Sequence, residues 1–144
     1  MRYLLDVNVL VALTVTENTL HESAQAWFRG EPDRLWATCA LTQGGFLRVA
    51  SRFVPASRHA ISELLGRLEF DCRSGFHEYW PVDVDMRDRS ALQRSRLIGH
   101  NQVTDMQLLM LARRHKGQLA TFDTGLGRLA QSTGYSESML LLAV

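Results

Sequence analysis

The chain predicts an α/β fold: a parallel sheet with helices over both faces. Short apolar, β-leaning runs alternate with helical segments along its whole length. Two of those runs, Tyr3-Leu4-Leu5 and Leu119-Ala120-Thr121-Phe122, stop abruptly at a carboxylate, Asp6 and Asp123. In an open α/β sheet, ligands sit in the crevice beyond the carboxyl ends of the strands. A third acid, Asp105, opens the helix before the second of these strands. The pattern gathers Asp6, Asp105 and Asp123 at one edge of one sheet, where they are expected to hold a divalent metal.

Taken in order, the first strand is Arg2 to Leu5 and a first helix runs from Val7 to about Thr14. Thr19 with Glu22 reads as a capping box, opening a helix through Trp27 and Phe28 that ends near Gly30. Glu31-Pro32-Asp33 is a turn. Leu35 to Thr38 is the second strand. A helix is expected to start at Thr42 and carry Phe46, Leu47 and Val49. Ser57 reads as the cap of the next helix. Its apolar face is Ile61, Leu64, Leu65 and Leu68, at i, i+3, i+4 and i+7. His77 to Val82 is the third strand, with Pro81 near its end. Asp88 to Leu97 is expected to be a short helix, and 98–103 a loop.

Thr104 and Gln107 read as a second capping box. The helix after them is apolar almost all round (Met106, Leu108, Leu109, Met110, Leu111, Ala112), which is the pattern of a buried helix. Arg113, Arg114, His115 and Lys116 end it, with Gly117 as the C′ residue. Leu119 to Phe122 is strand four, Gly125 to Gln131 a short helix, and Met139 to Val144 a terminal strand.

Length and composition suit one domain over residues 1–144: 46% apolar and 22% charged, with no linker, repeat or low-complexity segment. No apolar run reaches the roughly 18 residues of a membrane span, and nothing at the start resembles a signal peptide. No membrane association is expected, and the expected location is the cytoplasm. Cys39 and Cys72 lack metal or redox spacing and read as buried thiols. The net charge of +1 does not mark a nucleic-acid binder. Of the sixteen basic residues all but Lys116 are Arg. That suits phosphate recognition, and a genome-wide compositional bias would produce the same excess. Trp27, at helical spacing with Phe28, reads as core.

Each acid, taken singly, also has a purely structural explanation. Asp6 and Asp123 are suited to cap helices, and Asp105 sits where a helix dipole favours an anion. Together they make a carboxylate cluster, which repels itself unless a cation or protons intervene. Hard oxygen ligands suit Mg²⁺ or Mn²⁺ rather than zinc. No zinc-binding His pair, nucleophile elbow or phosphate-binding glycine loop is present, and Gly44-Gly45 has no phosphate-loop context.

Four blocks carry a family resemblance: Leu4-Leu5-Asp6-Val7-Asn8-Val9-Leu10, Thr42-Gln43-Gly44-Gly45-Phe46-Leu47-Arg48-Val49, Gln102-Val103-Thr104-Asp105 and Leu119-Ala120-Thr121-Phe122-Asp123. In that order they resemble PIN-domain proteins, and most closely VapC-type toxins of toxin–antitoxin systems. The resemblance covers essentially the whole chain. It implies a PIN-like three-layer fold with a five-stranded parallel sheet in the order 3-2-1-4-5. It implies an endoribonuclease dependent on Mg²⁺ or Mn²⁺, an RNA substrate, a VapB-type antitoxin as partner, and a homodimer. By position, Asp6, Asp105 and Asp123 are the acidic, metal-holding site, with Asn8 and Thr104 as supporting groups.

One position departs from the family: Gln43 stands where the family often has Glu. Its amide adds no charge and cannot act as a base, so one tightly held metal is expected, and Gln43→Glu is expected to tighten metal binding. Candidate RNA-phosphate contacts are Arg48, Arg52, Arg94 and Arg96; solvated surface or antitoxin contact would account for them equally. The expected chemistry is in-line attack of water on the phosphodiester, leaving a 5′-phosphate and a 3′-hydroxyl. Asp105 and Asp123 remain alternative water-orienting groups. Two other functions compete: a DNA nuclease or phosphatase with the same metal chemistry, and a catalytically weakened RNA- or antitoxin-binding module. A receiver domain fits poorly, because Lys116 lies at a helix end.

Overall fold

The structure is a computed structural model that describes residues 1–56, 58–97 and 99–144. It has a five-stranded sheet in the order β3-β2-β1-β4-β5, formed by β1 (Arg2–Leu5), β2 (Leu35–Thr38), β3 (His77–Tyr79), β4 (Gln118–Thr121) and β5 (Met139–Leu141). Every pairing is parallel. The helices are α1 (Val7–Thr14), α2 (His21–Arg29), α3 (Ala40–Ala50), α4 (Ala60–Cys72), α5 (Gln102–Arg114) and α6 (Thr124–Thr133). This is the expected fold class and strand order. Among the described residues no helix is long and apolar enough to cross a membrane.

Two apolar clusters, one on each face of the sheet, form the core. The first joins Leu4 and Leu119 to α5 and α6. The second joins Leu5, Trp36 and Ala120 to α1, α3 and α4. Adjacent residues of β1, Leu4 and Leu5, therefore feed opposite clusters, as the two-residue period of a strand requires. Five consecutive residues of α5, Leu108 to Ala112, are buried, so that helix is enclosed all round as its sequence predicts.

Several boundaries differ from the sequence reading. The helix read as starting at Thr42 starts at Ala40: Thr42 is its third residue and its Oγ1 accepts from Cys39 N at 3.0 Å. Thr19 does not cap α2. Asn18 does the turning instead, its Oδ1 accepting from Leu20 N at 2.9 Å. The helix α5 starts at Gln102, so the Thr104–Gln107 capping box does not form. Its end is a Schellman motif: Lys116 N reaches Arg113 O and Gly117 N reaches Ala112 O. The left-handed residue is Lys116 (φ 54°), not Gly117. Gly117 serves close approach: a Cβ there would stand 2.5 Å from Arg2 O.

The third strand stops at Tyr79 rather than Val82. Trp80 N still bonds Thr38 O, but Pro81 has no N–H to continue the ladder. The segment read as a helix from Asp88 to Leu97 is a series of turns with one 3-10 turn at Arg94–Arg96. Asp88 Oδ1 bonds Ser90 N and Oγ, and only Leu92 is fully anchored in the core. Side-chain bonding of that kind competes with helix propagation. The helix α6 is longer than expected, with Asp123 capping its start and Gly134 (φ 77°) at its end. The terminal strand is shorter, ending at Leu141. On α4, Leu64 and Leu68 are buried, but Ile61 and Leu65 are 44% and 47% exposed, so half the expected face has no core behind it. Cys39 is buried and Cys72 only half-buried. Ser57, read as the cap of α4, lies outside the described residues.

Candidate active site at the carboxyl end of the sheet

The neighbouring strands β1 and β4 pair in register, Leu5 opposite Ala120. The residues that follow each strand therefore emerge side by side. Asp6 N donates to Ala120 O at 3.0 Å, which fixes the chain at the point where the strand gives way to α1. The Asp6 side chain is 8% exposed. Its Oδ1 caps α1 by accepting from Val7 N at 2.7 Å. Its Oδ2 accepts from Thr121 Oγ1 at 2.6 Å and from Asn8 Nδ2 at 3.2 Å. The capping role foreseen for Asp6 thus uses one oxygen and leaves the other facing β4.

Thr121 is the hub of this network, and sequence reasoning gave it no role. Fully buried at the end of β4, its Oγ1 donates to Asp6 and accepts from Asn8 Nδ2 at 3.1 Å and Asp123 N at 3.0 Å. Asn8 Oδ1 accepts from Phe122 N at 3.2 Å. Asn8 and Thr121 together tie the Asp6 turn to the Asp123 turn. The readable signal was a hydroxyl two residues before an acid, at an inward-facing strand position.

Asp123 caps α6, its Oδ1 accepting from Gly125 N at 2.7 Å and Leu126 N at 3.3 Å. Its Oδ2 accepts nothing among the described residues. Asp105, in the first turn of α5, likewise accepts no hydrogen bond among the described residues. Burial, and then the negative charges of Asp6 and Asp123, push its carboxyl up to about 6. Burial is also the largest influence on Asp6 and raises its pKa. Hydrogen bonds from Thr121, Val7 and Asn8 oppose that rise, and Asp123 adds to it.

The three acids therefore lie in one another's electrostatic field. They do not close into a ready-made shell: among the described residues no three acidic, imidazole or thiol side chains stand together as a metal site. Asp105 and Asp123 line a cleft of about 610 Å³ with Arg96, Gln102, Gly125 and Arg128. Asp6 is not on its wall. The donor set suits a hard cation, since the side-chain ligand atoms on the cleft wall are carboxylate, amide and hydroxyl oxygens and no His or Cys lines it. Magnesium commonly keeps several waters and uses only one or two carboxylates, which two free carboxylate faces can satisfy.

Other expected residues fall elsewhere. Gln43 Nε2 donates to Thr38 Oγ1 at 3.0 Å, at the end of β2. Thr38 Oγ1 also meets His77 Nε2 at 2.9 Å. No hydrogen bond joins Gln43 to the acids among the described residues. Thr104 is exposed and makes no hydrogen bond to them either. Arg96 lines the cleft, whereas Arg94 donates to Arg87 O at 3.2 Å. Arg48 and Arg52 are exposed near the end of α3, outside the cleft wall. Arg128 stands on that wall, and the sequence did not single it out.

A family model described as PIN domain matches residues 3–131. Three relatives from Mycobacterium tuberculosis are similar over most of their length. Ribonuclease VapC44 is 42% identical over 130 residues, 90% of this chain and 92% of the relative. Ribonuclease VapC29 is 40% identical over 132 residues, covering 90% and 91%. Ribonuclease VapC39 is 36% identical over 133 residues, covering 92% and 96%.

Proposed function

The chain belongs to the PIN-domain family, and on that premise we propose that it is an endoribonuclease, the toxin of a VapBC-type toxin–antitoxin system. The names of its relatives support this reading over nearly the full length of the chain. Its substrate is RNA and its inhibitor a VapB-type antitoxin. The observation that carries the chemistry is the shared field of Asp6 and Asp123, after adjacent strands, and Asp105, in the first turn of α5.

Asp105 and Asp123 would hold Mg²⁺ or Mn²⁺ through their unengaged oxygens, with the buried Asp6 carboxyl next to them. When bound, the cation supplies Lewis acidity and offsets charge on the phosphate undergoing attack. The protein residues divide the remaining work. Thr121 and Asn8 donate to Asp6, fixing it in place and opposing the rise in its pKa that burial causes. Asp123 keeps its orientation through the α6 backbone amides on Oδ1, and its Oδ2 accepts no hydrogen bond among the described residues. Asp105 accepts no hydrogen bond among the described residues and lines the cleft, so beside its part in holding the cation it is the group placed to orient the attacking water.

The test is cleavage of a labelled single-stranded RNA by the wild type and by Asp6→Asn, with added Mn²⁺ and with chelator. The wild type is expected to cut only with Mn²⁺ and the variant to lose at least a hundredfold in rate. Equal cleavage by both proteins would end this assignment. Hydrolysis of DNA in preference to RNA would replace the substrate while keeping the chemistry.

A further inference from the structure

We propose that Arg128, with Arg96 beside it, binds phosphates of the RNA strand and sets it against Asp105 and Asp123. This rests on the ribonuclease reading above. Arg96 lies in the 3-10 turn at Arg94–Arg96 and Arg128 on α6, so two separate elements deliver guanidinium groups to one acidic cleft.

Neither side chain makes a hydrogen bond or ion pair among the described residues. Arg67, Arg73, Arg87 and Arg114, by contrast, each pair with a carboxylate. The Arg128 guanidinium is also turned toward the acids. A Cβ placed on Gly125 would stand 3.1 Å from Asp123 Oδ1 and 3.5 Å from Arg128 Nη2. Carboxylate and guanidinium thus flank the same bare patch of α6 backbone. Even so, they form no ion pair, so the donors of Arg128 stay free.

An acidic cleft by itself repels a polyanion. A planar guanidinium with uncommitted donors supplies the missing attraction, and its fork matches two phosphate oxygens. Placed beside the carboxylates, it also suits charge that develops on the phosphate during attack. Arg96, lining the same cleft, gives the strand a second anchor, so the cleft holds the RNA by its backbone and not by its bases.

The experiment measures binding of a fluorescent single-stranded RNA oligonucleotide by anisotropy, in EDTA to prevent hydrolysis, across a series of NaCl concentrations. Arg128→Gln is expected to weaken binding about tenfold and to reduce the slope of log affinity against log salt by ~0.7, the loss of one phosphate contact on a single strand. Arg128→Lys is expected to keep the slope while losing part of the affinity, because the charge remains and the fork does not. Arg73→Gln, exposed just past the end of α4 and outside the cleft, is expected to match the wild type.

A guanidinium that only offset Asp123 would change the melting temperature and leave the salt slope alone. That result, or wild-type affinity and slope in Arg128→Gln from a protein that does cut RNA, overturns this proposal and spares the ribonuclease reading. A wild type that neither binds nor cuts RNA overturns both.

Discussion

Thr121 Oγ1 donates to Asp6 Oδ2 at 2.6 Å, joining residues 115 positions apart at the ends of adjacent strands. The bond matters because Asp6 is almost fully buried, and an ionised carboxylate there needs donors. Replacing Thr121 with Val keeps the shape and removes the hydroxyl. Asp6 then loses its closest donor, while Asn8 Nδ2 and Asp123 N lose an acceptor. The expected cost is about 1–3 kcal/mol of stability, measured by urea unfolding, with RNA cleavage reduced about tenfold or more. An unchanged cleavage rate would mean that Thr121 does not position the acid.

The raised pKa of Asp105 makes stability depend on pH in a defined direction. Its folded value, about 6, lies above the ordinary 3.8. Between those values the folded state binds more protons than the unfolded one, so stability falls as pH rises from about 4 to about 6 and then levels. Asp105→Asn removes this loss. In chelator the variant is expected to be more stable than the wild type at pH 7 by about 1–2 kcal/mol, a value reduced for solvent screening. At pH 4 the difference is expected to vanish. Greater stability of the wild type at pH 7 would contradict the assignment.

Gly45 lies inside α3, where helix propensity alone would favour Ala by ~1 kcal/mol. A Cβ at Gly45 would stand 2.4 Å from Val7 Cγ2, and Val7 N is the donor that holds Asp6 Oδ1. Gly45→Ala is therefore expected to destabilise, by about 1–3 kcal/mol, and to slow cleavage by moving Val7 and the acid beside it. Thermal melts and rates measured together check this. A stabilised, fully active variant would show that α1 and α3 separate without cost.

Gln43 joins a chain of bonds running through Thr38 to His77. Burial lowers the pKa of His77, and the Thr38 hydroxyl meets its Nε2. Glutamate at position 43 would accept from Thr38 instead of donating to it, so that the hydroxyl would accept from a protonated ring. Gln43→Glu is expected to raise the His77 pKa, followed by NMR titration. No movement of His77 would place the new carboxylate elsewhere, toward the acids, where tighter Mn²⁺ binding is the expected result.

What could be read in the sequence was the framework. Strand cores such as Tyr3-Leu4-Leu5, and an α5 apolar all round, are signals of burial, and burial dominates the fold. The acids were legible because a carboxylate at the end of an apolar run conflicts with its surroundings unless it has a purpose. The starts read at Thr19 and Thr104 differ from the structure for one reason. A hydroxyl followed by a longer polar residue suggests a cap, but which backbone amide it meets is decided by packing. Thr121 and Arg128 are hidden in the sequence because their places exist only once distant segments meet: β4 beside β1, and α6 sharing a cleft with the Arg94–Arg96 turn.

The account depends most on Asp6, Asp105 and Asp123 acting on one cation. The direct measurement is calorimetric titration of Mn²⁺ into the wild type and into Asp6→Asn, Asp105→Asn and Asp123→Asn. The expected result is a single tight site in the wild type, weakened at least tenfold by each substitution. Wild-type affinity retained in all three variants would contradict it.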